Sequence, residues 1–157
     1  MYFPEFANPP AHVNLTPYSP FHFKYLNLDD GYLREVSKVI SPEEMAAHQS
    51  NIGMAYTAML YGKPVAVFGA IQLWPGVEEL WSMMSEESRD HARTLTRIAR
   101  KFADFRMISG GLHRLQMNVR CNDTRAVRWA HALGFDTEGV MQKYGTDGSD
   151  FYMMSKV

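Results

Sequence analysis

Three glutamates on predicted strands, Glu78, Glu79 and Glu138, are the side chains best placed to take a proton from an incoming nucleophile. Their ordinary alternative is a solvated strand carboxylate. His91, His113 and His131 are scattered, and no pair has the spacing that sets two ligands on one helix face, so a metal centre is not expected. Cys121 is the only cysteine, which excludes an internal disulfide and suits a small buried apolar residue. Neither G-x-S-x-G nor a P-loop is present. Two charged stretches stand side by side. The acidic segment Ser85-Glu86-Glu87-Ser88-Arg89-Asp90-His91 precedes a basic run of Arg93, Arg97, Arg100 and Lys101. Such a run reads as a solvated helix face, with a phosphate or RNA contact as the alternative.

These residues must be positioned by regular elements, and the patterns name them. Ala92, Leu95, Ile98, Ala99, Phe102 and Phe105 recur at three- and four-residue steps, which predicts one apolar face of a long helix ended by Gly110-Gly111. Met54 to Tyr61 and Pro64 to Leu73 predict a hairpin, and Val77 to Met84 a further strand after the turn Trp74-Pro75-Gly76. His113 to Cys121 alternates apolar and polar residues as a strand does. Asn122-Asp123-Thr124 can cap a helix that runs to Leu133 and closes at Gly134. Phe135 to Tyr144 and Asp150 to Val157 predict the last two strands. Upstream, Phe21 to Leu28 suits a first strand. Asp29 or Asp30 starts one helix, and Ser41-Pro42-Glu43-Glu44 another. The order β-α-α-β-β-β-α-β-α-β-β predicts an α/β domain with a mixed sheet flanked by helices over residues 21–157. Residues 1–20 hold five of the eight prolines and predict an extended arm, with Tyr2, Phe3, Phe6 and Tyr18 as anchors on the domain or on a protein partner.

Bulk properties narrow the classes. The 157 residues suit one domain, and 46% hydrophobic with 21% charged residues is globular composition. A net charge of -1 gives no global pull toward nucleic acid or anionic membranes, so neither a specific nucleic-acid partner nor a membrane is expected. The start Met1-Tyr2-Phe3-Pro4-Glu5 lacks a secretory signal pattern, and an intracellular location is the expectation.

The stretch from Arg114 to Val157 carries the most specific signal. A strand and a polar cap lead to a helix with Ala126 and Arg128, then to Leu133-Gly134-Phe135. Glu138-Gly139, a tyrosine-bearing strand and the Asp147-Gly148 turn follow. This combination resembles the GNAT (acetyl-CoA-dependent N-acyltransferase) superfamily, especially its ribosomal-protein N-acetyltransferases. The resemblance implies acetyl transfer from acetyl-CoA to an amine. It implies a gap between the strands Val77–Met84 and Arg114–Cys121 for the pantetheine arm, and a diphosphate seat on the amides that open the long helix. The implied cofactor residues are Met83, Met84, Ser88, Arg89, Asp90, His91, Ala92 and Arg93, with Asn122 and Arg125. Glu79 would be the base and Tyr144 the acid for the leaving thiolate.

Two positions depart from that pattern. The Gln/Arg-x-x-Gly-x-Gly/Ala loop of the superfamily falls on Glu87, Asp90 and Ala92, of which only Ala92 fits. Asp90 sets a side chain and a negative charge where glycine would admit a diphosphate. Two unit charges ~4 Å apart repel by about 4 kcal/mol at an effective dielectric of 20, and Glu86 and Glu87 add to this. The bland reading is a helix start suited to its own dipole, with Ser85 as the cap. Ala130 occupies the usual place of a catalytic tyrosine. The loop is therefore read as degenerate. A narrower resemblance joins Trp81, Ser82–His91, Ala92–Phe105 and Asn122…Gly134-Phe135 to the GNAT-like internal virion or core proteins of short-tailed bacteriophages. It implies a non-catalytic assembly role inside a bacterial host, with virion components or a second copy of the chain as partners.

Overall fold

The computed structural model describes residues 12–157. Tyr2, Phe3 and Phe6, and with them most of the expected arm, lie outside the described residues. Strand β1 (Val13–Pro17) is followed by three helices, α1 (Pro20–Phe23), α2 (Asp30–Ser37) and α3 (Pro42–Asn51). Strands β2 (Met54–Leu60), β3 (Lys63–Trp74) and β4 (Val77–Met84) form a meander. A 3-10 turn (Glu86–His91) leads into the long helix α4 (Ala92–Ser109). Then come β5 (Arg114–Arg120), α5 (Thr124–Ala132), β6 (Asp136–Met141) and β7 (Phe151–Lys156). The seven strands form one sheet in the order β1-β2-β3-β4-β5-β7-β6.

The first strand is not where the pattern placed it. Phe21 to Leu28 holds helix α1 and coil, and Val13–Pro17 supplies the sheet edge instead. The physical cause is local. Ser19 caps α1 in a reciprocal box with His22, and Pro20 is pre-set for the first helical position. Pro17, which lacks an amide, ends an edge strand that among the described residues pairs only with β2, where a missing donor costs little. Tyr18 is the one expected anchor among the described residues. It is buried and lies edge-on to Trp81 with ring centroids 6.0 Å apart.

The remaining starts follow the local chemistry. Asp29 caps α2 by accepting from the Tyr32 amide at 3.1 Å. Ser41 and Glu44 close a capping box on α3. Asp123 caps α5, and Gly134 ends it at φ 94°, a conformation glycine adopts without strain.

Two layers of helix sandwich the sheet. On one face Leu95 of α4 meets Ala66 and Ala58, and Phe102 meets Phe68 and Tyr56. α5 completes that face through Ala130 and Leu133, which pack with Leu115, Met117, Val119 and Met154. On the other face Val67 and Met83 meet Tyr18, Leu26, Phe23 and Met45. Neighbouring strand residues therefore have opposite fates, as a pleated strand requires.

The functional feature of the sheet is where pairing stops. β4 and β5 run parallel and pair at three positions, Val77 with Arg114, Glu78 with Leu115 and Glu79 with Gln116. Beyond Glu79, β4 continues along β3 to Met84, while β5 continues along β7 to Arg120. The two strands splay toward their C-terminal ends, the place where parallel strands present ligands.

Candidate active site at the strand splay

A cavity of about 360 Å³ fills the splay. Its walls differ by face. Toward α4 and α5 they are mainly apolar, with Phe68, Ala99, Phe102, Met117, Val119 and Leu133 beside the polar Ser82 and Asp123. Toward α2 they are polar and aromatic, with Glu79, Asn118, Arg120, Tyr32 and Trp81. Gly69 makes room for Trp81. A Cβ on Gly69 would stand 2.7 Å from the indole ring.

Tertiary structure separates the three candidate bases. Glu78 points to the α4 face, is buried, and accepts hydrogen bonds from the Arg106 guanidinium, one of them at 2.9 Å from Nε. Glu138 is clasped by both Arg114 terminal nitrogens at 2.6 and 2.8 Å, and Ser155 donates to it at 2.5 Å. Arg114 foremost, then Ser155, hold its carboxyl down at about 2. Both are structural ion-pair members. Glu79 alone faces the cavity, held by two neutral amides. Gln116 Nε2 donates to it at 3.1 Å and Asn118 Nδ2 at 3.5 Å.

Tyr144 lies in the loop between β6 and β7 rather than on the predicted strand. It is exposed and stacks edge-on against Phe151. Its hydroxyl accepts from the same Asn118 Nδ2 at 3.3 Å. The structure thus gathers Glu79 and Tyr144 around one asparagine that the sequence reading passed over. A signal was present. Arg114, Gln116, Asn118 and Arg120 give β5 a wholly polar face although it lies inside the sheet. The same loop is tied down on both sides. Asp147 and Ser149 accept from Arg120 at 2.7 and 2.5 Å, and Thr146 bonds Glu35 of α2.

Two buried polar atoms at this cavity have no hydrogen-bond partner among the described residues, Asn118 Oδ1 and Trp81 Nε1. One can only accept and the other only donate. Leaving such groups unmet costs about 1–3 kcal/mol each, so they mark places for a polar ligand or water.

The phosphate end looks different. Ser85 opens a 3-10 turn rather than capping a helix, and its side chain makes no cap bond. The i to i+3 bonds of that turn use amides that a phosphate cradle would present. Ser88 is buried and donates to the Ser85 carbonyl at 2.6 Å. Arg89, Asp90, Ala92 and Arg93 are exposed, and His91 is half-buried beside His12. Glu87 does not add free negative charge as expected. Lys63 Nζ donates to it at 2.8 Å and is the foremost cause holding its carboxyl at about 2. The exposure of Asp90 also weakens the repulsion expected of it, because water screens it. Met83 is a core residue, and Met84 packs beside Leu95. Asn122 and Arg125 are exposed at the start of α5. Ala130 is fully buried between α5 and β5, so that position is core here. Trp129 beside it reaches the cavity and donates to Thr96 at 3.1 Å.

The held carboxylates set an acid limit. Glu87 and Glu138 fall from an ordinary 4.5 to about 2 in the fold. Asp147 is also held low, first by its bond from Ser149. A carboxyl lowered in the fold stabilises it above the unfolded value, and that gain is lost as pH falls through the folded value. Urea midpoints are therefore expected to be level toward neutrality and to fall between pH ~4.5 and ~2. Glu138→Gln should flatten part of that fall. An unchanged profile in this variant would remove Glu138 from the account.

Among the described residues no three His, Cys, Asp or Glu side chains cluster as metal ligands. No helix in them is long and apolar enough to cross a membrane. No protein-family profile matches the chain. No curated protein sequence matches it either. Solved structures do. A GNAT-family acetyltransferase from Bacillus anthracis superposes with TM-score 0.74 at 12% identity, over 93% of this chain and 95% of its own. A ribosomal-protein-alanine acetyltransferase from Vibrio fischeri gives 0.69 at 14% identity, over 94% of each chain. A ribosomal alpha-N-protein acetyltransferase in complex with coenzyme A gives 0.76 at 14% identity, over 98% of each chain. With a mixed seven-stranded sheet, a splayed parallel pair and helices on both faces, the chain has the GNAT fold.

Proposed function

We propose that this chain is a GNAT-fold acyltransferase-like protein that retains an acceptor-side centre at Glu79, Asn118 and Tyr144 but holds acetyl-CoA weakly. The observation that carries the reading is the 3-10 turn Glu86–His91, which stands where the diphosphate would need free amides and presents Asp90 there. The pantetheine slot is favoured by the β5-facing edge of β4 beyond Glu79, where pairing with β5 has stopped, and by the apolar half of the cavity. A neighbour of the same fold was solved in complex with coenzyme A, which favours coenzyme A as the ligand class. In that slot Glu79 would take the proton of an amine, Asn118 Oδ1 would accept its second N–H, and Tyr144 would protonate the thiolate. The acceptor is an amine of a protein N-terminus, a lysine or a small molecule.

The same closed seat favours a second reading, a non-catalytic GNAT-fold component of a phage particle. The assembly contact expected of the arm would then fall to the residues before β1, because Val13–Pro17 pair in the sheet and Tyr18 is buried.

One titration separates these readings. A ligand at ~100 times its dissociation constant adds about 2.7 kcal/mol of stability. Millimolar acetyl-CoA is expected to leave the melting temperature of the native chain nearly unchanged. Asp90→Gly should tighten coenzyme A about fivefold by calorimetry, the equivalent of one screened charge contact near 1 kcal/mol. A large rise in melting temperature for the native chain would overturn weak binding. No binding to either protein at any concentration would favour the assembly role.

A further inference from the structure

The outer surface of α4 and α5 carries charge that neither the cavity nor the core explains. Arg93, Arg97 and Arg100 are exposed along α4, with Lys101 half-exposed beside them, and Arg125 and Arg128 are exposed on α5. The two helices touch through Trp129 and Thr96. None of these six cations has an ion-pair partner among the described residues. The six ion pairs there use Lys38, Lys63, Arg106, Arg114, Arg120 and Lys156. Asp104, the acid one turn beyond Arg100, is turned to Lys156 instead. Asp123 is occupied as the cap of α5.

A surface that serves only helix stability alternates charge signs at three- and four-residue spacing. Here like charges stack. Arg93 and Arg97, Arg97 and Lys101, Arg97 and Arg100, and Arg125 and Arg128 are all neighbours at those spacings. Each such pair disfavours its own helix. Local choices that work against the fold mark function more often than structure.

We infer that the α4–α5 ridge is a binding surface for a nucleic-acid phosphate backbone, read without sequence preference. The cations run along about 12 Å of α4, at 1.5 Å per residue from Arg93 to Lys101, which a duplex matches with one charge per about 1.7 Å. Five of the six are arginines, whose planar fork suits phosphate oxygens. A membrane surface fits less well, because no large hydrophobic side chain is exposed on α4 before Ile108 or on α5. Arg93 and Arg125 also belong to the implied coenzyme A seat, so the substitutions that test the ridge are placed at Arg97, Arg100 and Arg128, outside it.

The test is fluorescence anisotropy with a ~20-base-pair DNA duplex and a single-stranded RNA of equal length. Poly-glutamate and vesicles containing phosphatidylserine serve as the other polyanions. Nucleic-acid binding is expected at low salt, with a slope of log K on log salt of about −4 to −5 on the duplex, near −0.9 per phosphate contact. Arg97→Glu/Arg100→Glu/Arg128→Glu should weaken binding at least tenfold at ~100 mM salt and reduce the slope by about 3. Circular dichroism checks that this variant folds. A milder Arg→Gln triple should give an intermediate loss. No binding at ~50 mM salt, equal binding to poly-glutamate, tighter binding to vesicles, or full binding by the folded triple-Glu variant would each overturn the assignment. DNA and RNA affinities together tell which nucleic acid the surface prefers.

Discussion

Arg106→Met is expected to remove about 3–5 kcal/mol of folding free energy, because it strands a buried carboxylate. Glu78 is 6% exposed, and Arg106 of α4 supplies its hydrogen-bonded cation. Domains of this size hold only about 5–15 kcal/mol in total, so the variant should sit near its unfolding limit in urea at room temperature. The double change Glu78→Leu/Arg106→Met removes both charges and should return most of the loss, since a buried pair and a well-packed apolar pair are often close in energy. The difference between single and double variants is the coupling. A single-variant cost below about 1 kcal/mol would mean that Glu78 finds water, contrary to its burial. The pair also has a positional role. Glu78 is the residue before the last β4–β5 rung, so Arg106 anchors β4 where the sheet begins to open.

Phe102→Ala should cost a similar amount, about 3–5 kcal/mol, by lost transfer energy and an unfilled hole. Phe102 is 1% exposed, with ring centroids 5.2 Å from Phe68 and 6.1 Å from Tyr56, both near edge-on. It is also a wall of the splay cavity, so the change widens the cavity on the α4 side. The enlarged apolar space should take up benzene or a similar small apolar molecule, which would raise the melting temperature of the variant and not of the native chain. Urea unfolding measures the first effect and a thermal shift with benzene the second. A cost under 1 kcal/mol would show that α4 settles onto the sheet and closes the hole.

The fold and the site differed in how far they could be read beforehand. Periodicity along Leu95, Ile98, Ala99 and Phe102 set the long helix and its buried face correctly. Caps at Asp29, Ser41 and Asp123 and the stop at Gly134 set most boundaries, because these are contacts within a few residues. The first strand falls at Val13–Pro17 instead of Phe21 to Leu28 because the two stretches have comparable strand character, and a short capping box around Ser19 decides between them. Tyr144 reads as a strand residue from its neighbours, but the ladder to β7 stops at Met141.

Local sequence, then, determined the α/β class, the long helix and the hairpins, since each rests on near neighbours, whereas the acidic segment ahead of α4 reads as a capped helix start and folds as a 3-10 turn. Only tertiary structure decided which carboxylate could act. Glu78 and Glu79 are adjacent in sequence but leave the strand on opposite faces. One meets Arg106, and the other meets the cavity. It also decided that Asn118 joins Glu79 to Tyr144, and that Lys63 neutralises Glu87 from 24 residues away. These outcomes depend on sheet register and on the splay of β4 from β5, which long-range packing sets and no single stretch of the chain encodes.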